Sequence, residues 1–121
     1  MNTQQLKSFC KQLPASVETL HGAPGNILRY TVGGKGFAHF KTSEPELWRF
    51  SIKVAPERFI ELTDVPGVKP ARFRARHHWI TIVKVGSFPE DYLRELVEWS
   101  YRKAADGLTK SAQRELGILR D

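Results

Sequence analysis

Apolar residues at Leu6, Phe9, Cys10 and Leu13 follow the i, i+3, i+4, i+7 spacing of one helix face, with Thr3 placed to cap the helix and Pro14 to stop it. The period then changes from 3.6 to two. Val17 to His21 and Ile27 to Val32 read as strands, and a third begins at Gly36. Gly33-Gly34 between the last two tolerates the positive φ of a tight hairpin turn. In LWRFSIKV, Trp48, Phe50, Ile52 and Val54 alternate with Arg49, Ser51 and Lys53, which predicts a further strand. Pro56 opens a short helix, PERFIELTD, ended by the turn-rich VPGVKP. Two strands follow, one through the alternating residues after Lys69 and one in WITIVKV from Trp79. Ser87 to Glu90 has capping-box spacing ahead of a long helix with the stripe Leu93, Leu96, Val97, Ser100, Tyr101 and Ala104. Asp106-Gly107 ends that helix, and Thr109 caps a last one running to about Leu116.

This order predicts an α+β fold, an antiparallel sheet with helices packed on one face. No repeat, linker or low-complexity tract interrupts it. A length of 121 residues suits one domain over 1–121, and such a domain buries roughly 65% of its unfolded-chain surface without needing staples. Cys10 is the lone cysteine and cannot form an internal disulfide, which fits a reducing cytoplasm. MNTQQLKSFCKQL lacks the apolar core of a signal peptide, and no stretch approaches the ~20 apolar residues of a membrane span. The expectation is a soluble, cytoplasmic domain with no membrane partner.

Charge sharpens this picture at one place. The chain holds 19 Lys/Arg against 13 Asp/Glu, a net of +6. The window KPARFRARHHWITIVK, Lys69 to Lys84, contains Lys69, Arg72, Arg74, Arg76 and Lys84 and no carboxylate, so the remainder is close to neutral. Within it Arg72, Arg74 and Arg76 alternate with Ala71, Phe73 and Ala75. On a strand that period aims all three guanidinium groups at one face. Guanidinium donates bidentate hydrogen bonds to phosphate and stays charged, so the row suits an anionic partner. The competing reading is a solvated strand face whose charge guards against edge-to-edge pairing. Glu57, Glu61 and Asp64 are the carboxylates that would neutralise the row if it folded against them.

Other candidates carry less. Trp79 and Phe73 could stack on unpaired bases, but a tryptophan beside a β-branched run reads first as core. His77 and His78 are adjacent, and adjacent strand residues face opposite ways, so one ion could not take both. They read as surface groups adding positive charge below neutral pH. His21 and His39 are isolated, and no metal or cofactor is expected. Val32-Gly-Gly-Lys-Gly36 lacks the ending of a phosphate loop and reads as a hairpin tip that presents Lys35. Ser100 and Ser111 lie in helical sequence without a nucleophile elbow. Glu57, Glu90 and Asp91 are explained as first-turn residues favoured by the helix dipole. No catalytic set emerges.

Four passages taken in order carry a family resemblance: GGKGFAHF, IKVAPERFIEL, GVKPARFRARHHWITI and LVEWSYRKAADGLTK. Together they span roughly residues 4 to 112, and their order resembles the YjbR/MmcQ family of small bacterial proteins. The resemblance implies a frataxin-like (CyaY-like) α+β domain and a double-wing shape proposed to bind DNA. The wings would be the hairpin at Gly33 to Gly36 and the segment Arg72 to Trp79. The frataxin-like topology also raises iron as a rival ligand. Iron sites want clustered carboxylates, and the first helix offers Lys7 and Lys11 with no Asp or Glu before Glu18.

The expected function is therefore a non-enzymatic domain binding DNA or RNA phosphates weakly and largely without sequence preference. Arg72, Arg74, Arg76 and Lys84 would make the contacts, with Lys69, His77, His78 and Lys35 contributing. One alternative is a module docking an acidic protein through the same strand. Another is a small-ligand binder or enzyme with a pocket between sheet and helices. Trp99 flanks the apolar stripe of its helix, which leaves monomer and homodimer both open.

Overall fold

The computed structural model describes residues 1–120. Four helices, α1 (Thr3–Gln12), α2 (Pro56–Leu62), α3 (Glu90–Asp106) and α4 (Lys110–Glu115), accompany six strands. These are β1 (Ser16–His21), β2 (Ile27–Val32), β3 (Lys35–Lys41), β4 (Phe50–Lys53), β5 (Val68–Pro70) and β6 (Trp79–Ile82). They form one antiparallel sheet in the order β1-β2-β3-β4-β6-β5, so the last strand enters between β4 and β5. The expected α+β architecture, with helices on one face of an antiparallel sheet, is the one observed.

Alternation decides which face is covered. Leu28, Tyr30, Ala38, Phe40, Phe50, Ile52, Ile80 and Ile82 are register partners across four strands, and all are buried. Leu6 and Cys10 of α1, Leu62 of α2, and Leu93, Leu96, Val97 and Tyr101 of α3 close that core. Burial pushes the Cys10 thiol up from its ordinary value, so it packs as an apolar group. The opposite face carries no helix and is polar.

Ser100 and Tyr101 of α3 act as fasteners. Ser100, 2% exposed, donates from Oγ to the Phe37 carbonyl at 2.7 Å and accepts from the Lys53 amide at 3.2 Å. It thereby ties β3 to β4 just past their last paired residues, Ala38 and Ile52. Tyr101 donates its hydroxyl to the Pro14 carbonyl at 2.6 Å and anchors the turn after α1. Ser100→Ala would leave a buried amide and a buried carbonyl short of a partner. A loss of about 2 kcal/mol is expected in urea unfolding, against near-neutral values for Ser111→Ala on α4.

Several local expectations are corrected. Asn2, not Thr3, caps α1, through a reciprocal pair with Gln5. Pro89 precedes α3, while Ser87 lies in a 3-10 turn, so the capping-box spacing is not used. Thr109 does cap α4, accepting from the Ala112 amide at 3.1 Å. β4 begins only at Phe50, because Trp48 adopts φ +67° in a turn closed by its amide on the Lys41 carbonyl.

The largest difference is in the basic window. The predicted strand through Arg72, Arg74 and Arg76 does not form: β5 stops at Pro70, and a turn and a 3-10 turn (Ala75–His77) lead to β6. Pro70 has no amide to donate, and ARFRAR lacks the β-branched residues that favour extended backbone. The loop satisfies its own backbone instead, with amides of Arg74, His77 and His78 donating to carbonyls of Ala71, Arg74 and Ala75. Phe73 and His78 take positive φ, +67° and +63°.

Candidate functional site

One row of residues crosses the helix-free face. Register pairs Thr19 with Arg29, Arg29 with His39, His39 with Ser51, Ser51 with Thr81, and Thr81 with Lys69. Strand alternation points all of these away from the apolar core. The loop after β5 folds back over the row and is held there from three sides. The Ala71 amide donates to the Trp79 carbonyl at 2.9 Å, the Val54 amide to the His78 carbonyl at 2.9 Å, and Lys53 Nζ to the His77 carbonyl at 2.6 Å.

Trp79 is the anchor of this arrangement. It is 7% exposed, as a core residue would be, but it lies on the polar face and outside the helix-side core. The His39 imidazole stacks on it at 4.9 Å between centroids and 26° between planes. The Arg74 guanidinium carbon lies 5.1 Å from the indole centroid, in cation–π range. Sequence alternation could not assign Trp79 to this side, because the loop that covers it was itself read as strand.

Below the loop is a cavity of about 120 Å³ whose lining includes His39, Lys41, Arg49, Ser51, Arg72, Arg74 and Thr81. His39, Lys41, Arg49 and Ser51 were absent from the sequence candidates. The signal that could have found them was the outward phase of β3 and β4, which alternates polar side chains against the buried aromatics. Ser51 and Thr81 share one hydrogen bond between their hydroxyls, 2.9 Å long. His39 is 7% exposed, and its Nε2 has no hydrogen-bond partner among the described residues. Burial, reinforced by the charges of Arg74, Arg29 and His21, lowers the His39 pKa to about 3, so the ring is neutral at physiological pH. Burial and Arg29 likewise lower Arg74 from its ordinary value, though a guanidinium stays charged.

The predicted site residues divide. Arg72 and Arg74 line the cavity, whereas Arg76 is not part of its lining and donates from Nε to His77 Nε2 at 3.3 Å. None of the three makes an ion pair among the described residues; Glu57, Glu61 and Asp64 do not neutralise them. They nonetheless do not form the expected single strand face. Phe73 between them is 90% exposed, with the Arg72 guanidinium carbon 5.2 Å from its ring centroid. His78 turns away and packs edge-on against Phe59 of α2 at 5.6 Å. Lys69 belongs to the same face but is held by Glu46 at 2.9 Å, as Arg49 is at 3.2 Å. Glu46 is accordingly held below the usual carboxylate range, chiefly by the Lys69 hydrogen bond.

Two predicted contacts lie elsewhere. Lys84 follows the far end of β6, roughly 16 Å of extended chain from Trp79. There it lines an apolar cleft of about 520 Å³ with Leu62, Val68, Ile82, Phe88 and Tyr92. That cleft is the expected pocket between sheet and helices, but it gathers no converging set of titratable groups: Tyr92 is engaged by Arg58 at 3.0 Å. Lys35 is exposed at the hairpin tip, as expected, but leans toward the helix layer. Its Nζ lies 3.3 Å from where a Cβ on Gly107 would be, against the C-terminal end of α3, where a cation is favoured. Gly33 packs more closely still on Leu108, whose Cδ1 lies 2.6 Å from where a Cβ would be. The hairpin is thus docked on the helix layer, and only the second predicted wing overhangs the polar face.

The carboxylates sit mainly behind the sheet, Glu57 and Glu61 on α2 and Glu90, Asp91, Glu95, Glu98 and Asp106 on α3. In the helices these carboxylates are balanced by Lys/Arg, Lys7 and Lys11 on α1, Arg58 on α2, Arg94, Arg102 and Lys103 on α3 and Lys110 and Arg114 on α4, so the positive excess of the described residues lies outside the helix layer. No helix of the described residues is long and apolar enough to cross a membrane.

Comparison with known proteins gives a consistent picture. The YjbR family model matches residues 11–103. The chain superposes on the crystal structure of a Deinococcus radiodurans protein with a DUF419 domain at TM-score 0.82 and 30% identity, covering 98% of this chain and 89% of that one. It also superposes on a Pseudomonas syringae protein at TM-score 0.68 and 19% identity, covering 86% and 99%. The second likeness is one of fold alone. No curated protein matches.

Proposed function

The chain belongs to the YjbR family, and on that scaffold we propose a nucleic-acid-binding domain that holds backbone phosphates on its basic open face. The observation that carries this reading is a loop of three arginines, Arg72, Arg74 and Arg76, without carboxylate partners among the described residues, laid over a helix-free sheet. Phe73 adds an exposed ring between two of the arginines, suited to stacking on an unpaired base. No helix presents side chains to read base edges, so contacts to phosphate dominate and sequence preference is weak. The loop is tied down at Ala71, His77 and His78, so its arginines meet a ligand with little further ordering.

Fluorescence titration of labelled single-stranded and duplex DNA over a salt series tests this. Three phosphate contacts predict a slope of about −2 to −3 in log affinity against log salt. Single strands should bind at least as well as duplex, because only they offer Phe73 an unpaired base. Absence of binding at ~50 mM salt with micromolar protein would remove the proposal, since phosphate contacts are strongest there.

A further inference from the structure

The cavity under the arginine loop asks for more than a passing backbone phosphate. Its lining includes Arg72 and Arg74, both without carboxylate partners among the described residues, and Arg49, which is already shared with Glu46. The lining also includes His39, more than nine-tenths buried, with Nε2 unsatisfied among the described residues. A buried polar nitrogen without a partner costs free energy that a ligand atom would recover. Ser51 and Thr81 add a further donor: in a hydroxyl pair joined by one hydrogen bond, one hydrogen bridges the oxygens and the other stays free. The donors thus come from the loop above, from β3 at the side and from β4 and β6 below.

We propose that this cavity is a site for a phosphomonoester dianion, with Arg72 and Arg74 as its charge partners and His39 Nε2–H and a Ser51 or Thr81 hydroxyl as its neutral donors. The number and directions of the donors decide between phosphate types. An internal phosphodiester offers two free oxygens and one negative charge, and its two ester arms need two exits. A monoester offers three terminal oxygens and nearly two charges, with a single arm to leave through the mouth of the cavity. Converging donors and two guanidinium groups match the second. Neutral His39 is suited to this role, since it donates without adding a third cation beside Arg74 and Arg29. The site stands apart from backbone binding and could be filled from two sources, the 5′-phosphate of a nucleic-acid strand or a free nucleoside monophosphate.

Affinity of the full chain for one oligonucleotide with a 5′-phosphate or a 5′-hydroxyl separates the sources, with adenosine monophosphate and inorganic phosphate as competitors. The 5′-phosphate strand should bind about tenfold tighter. His39→Phe, which keeps a ring against Trp79 but no nitrogen, should bring that ratio close to one. Thr81→Val gives a second reading should His39→Phe fail to fold. Monophosphate or inorganic phosphate that raises Tm in the wild type but not in these variants, without any preference for strand ends, supports the site and assigns it to free phosphomonoesters. Equal affinity for both strands, together with no effect of either competitor, would overturn it. Salt-dependent binding of both strands would in that case still uphold the backbone proposal.

Discussion

The triple variant Arg72→Gln, Arg74→Gln, Arg76→Gln is expected to bind DNA about a thousandfold more weakly than wild type at ~50 mM salt, with a salt slope near zero, because three released counterions account for roughly three decades there. The size follows from the absence of carboxylate partners among the described residues. An arginine paired with a carboxylate contributes little net charge to a ligand, whereas these three present all of theirs. The fold should survive the change. The loop is fixed by backbone hydrogen bonds and by Lys53, none of which involves a guanidinium. The main loss is the Arg74 contact with Trp79, worth about 0.5–1 kcal/mol. Lys35→Gln and Lys84→Gln serve as controls of equal chemistry, since one side chain lies against α3 and the other on the apolar cleft. Retention of wild-type affinity and slope by the triple variant, with loss in Lys84→Gln, would relocate binding to the opposite end of β6.

What the sequence made legible follows from which interactions are local. Alternation over Ile27 to Val32 and over Phe50 to Lys53, with paired glycines at 33 and 34, was enough for the strand meander. The stripe on α3 was enough for the covering helix. The Ala71 to Arg76 stretch also alternates, yet its apolar positions are two alanines and an exposed phenylalanine, too small a payload to hold a strand against a loop that satisfies its own backbone. Periodicity counts positions; burial weighs them.

The same limit hid half of the candidate site. Arg72 and Arg74 were visible as an unbalanced charge cluster. His39, Ser51 and Thr81 were not, because each is an ordinary outward residue on its own strand. Only the strand order, with β6 inserted beside β4, puts them in a single row. Lys84 shows the converse: membership of a basic window does not place a side chain at the site when four residues of strand intervene.

Acid should destabilise this protein through His39 before it affects most carboxylates. With a folded-state pKa of about 3 against 6.5 in the unfolded chain, the imidazole is neutral in both states above pH 6.5 and contributes no pH dependence there. As pH falls below 6.5 the unfolded chain takes up a proton that the folded state refuses. Stability then drops by about 1.4 kcal/mol per pH unit, reaching about 2.7 kcal/mol at pH 4.5. The refusal has named causes: burial first, then Arg74 from the loop, Arg29 from β2 and His21 from β1. Urea unfolding of wild type and His39→Phe at pH 7 and 4.5 isolates this contribution, because ion pairs such as Lys69–Glu46 are common to both proteins. Wild type should lose the additional 2–3 kcal/mol; parallel losses would mean that His39 is hydrated and protonates freely. Saturating adenosine monophosphate should shrink the difference, since its phosphate, a monoanion at pH 4.5, still favours the imidazolium beside Nε2 and raises the folded-state pKa toward its ordinary value.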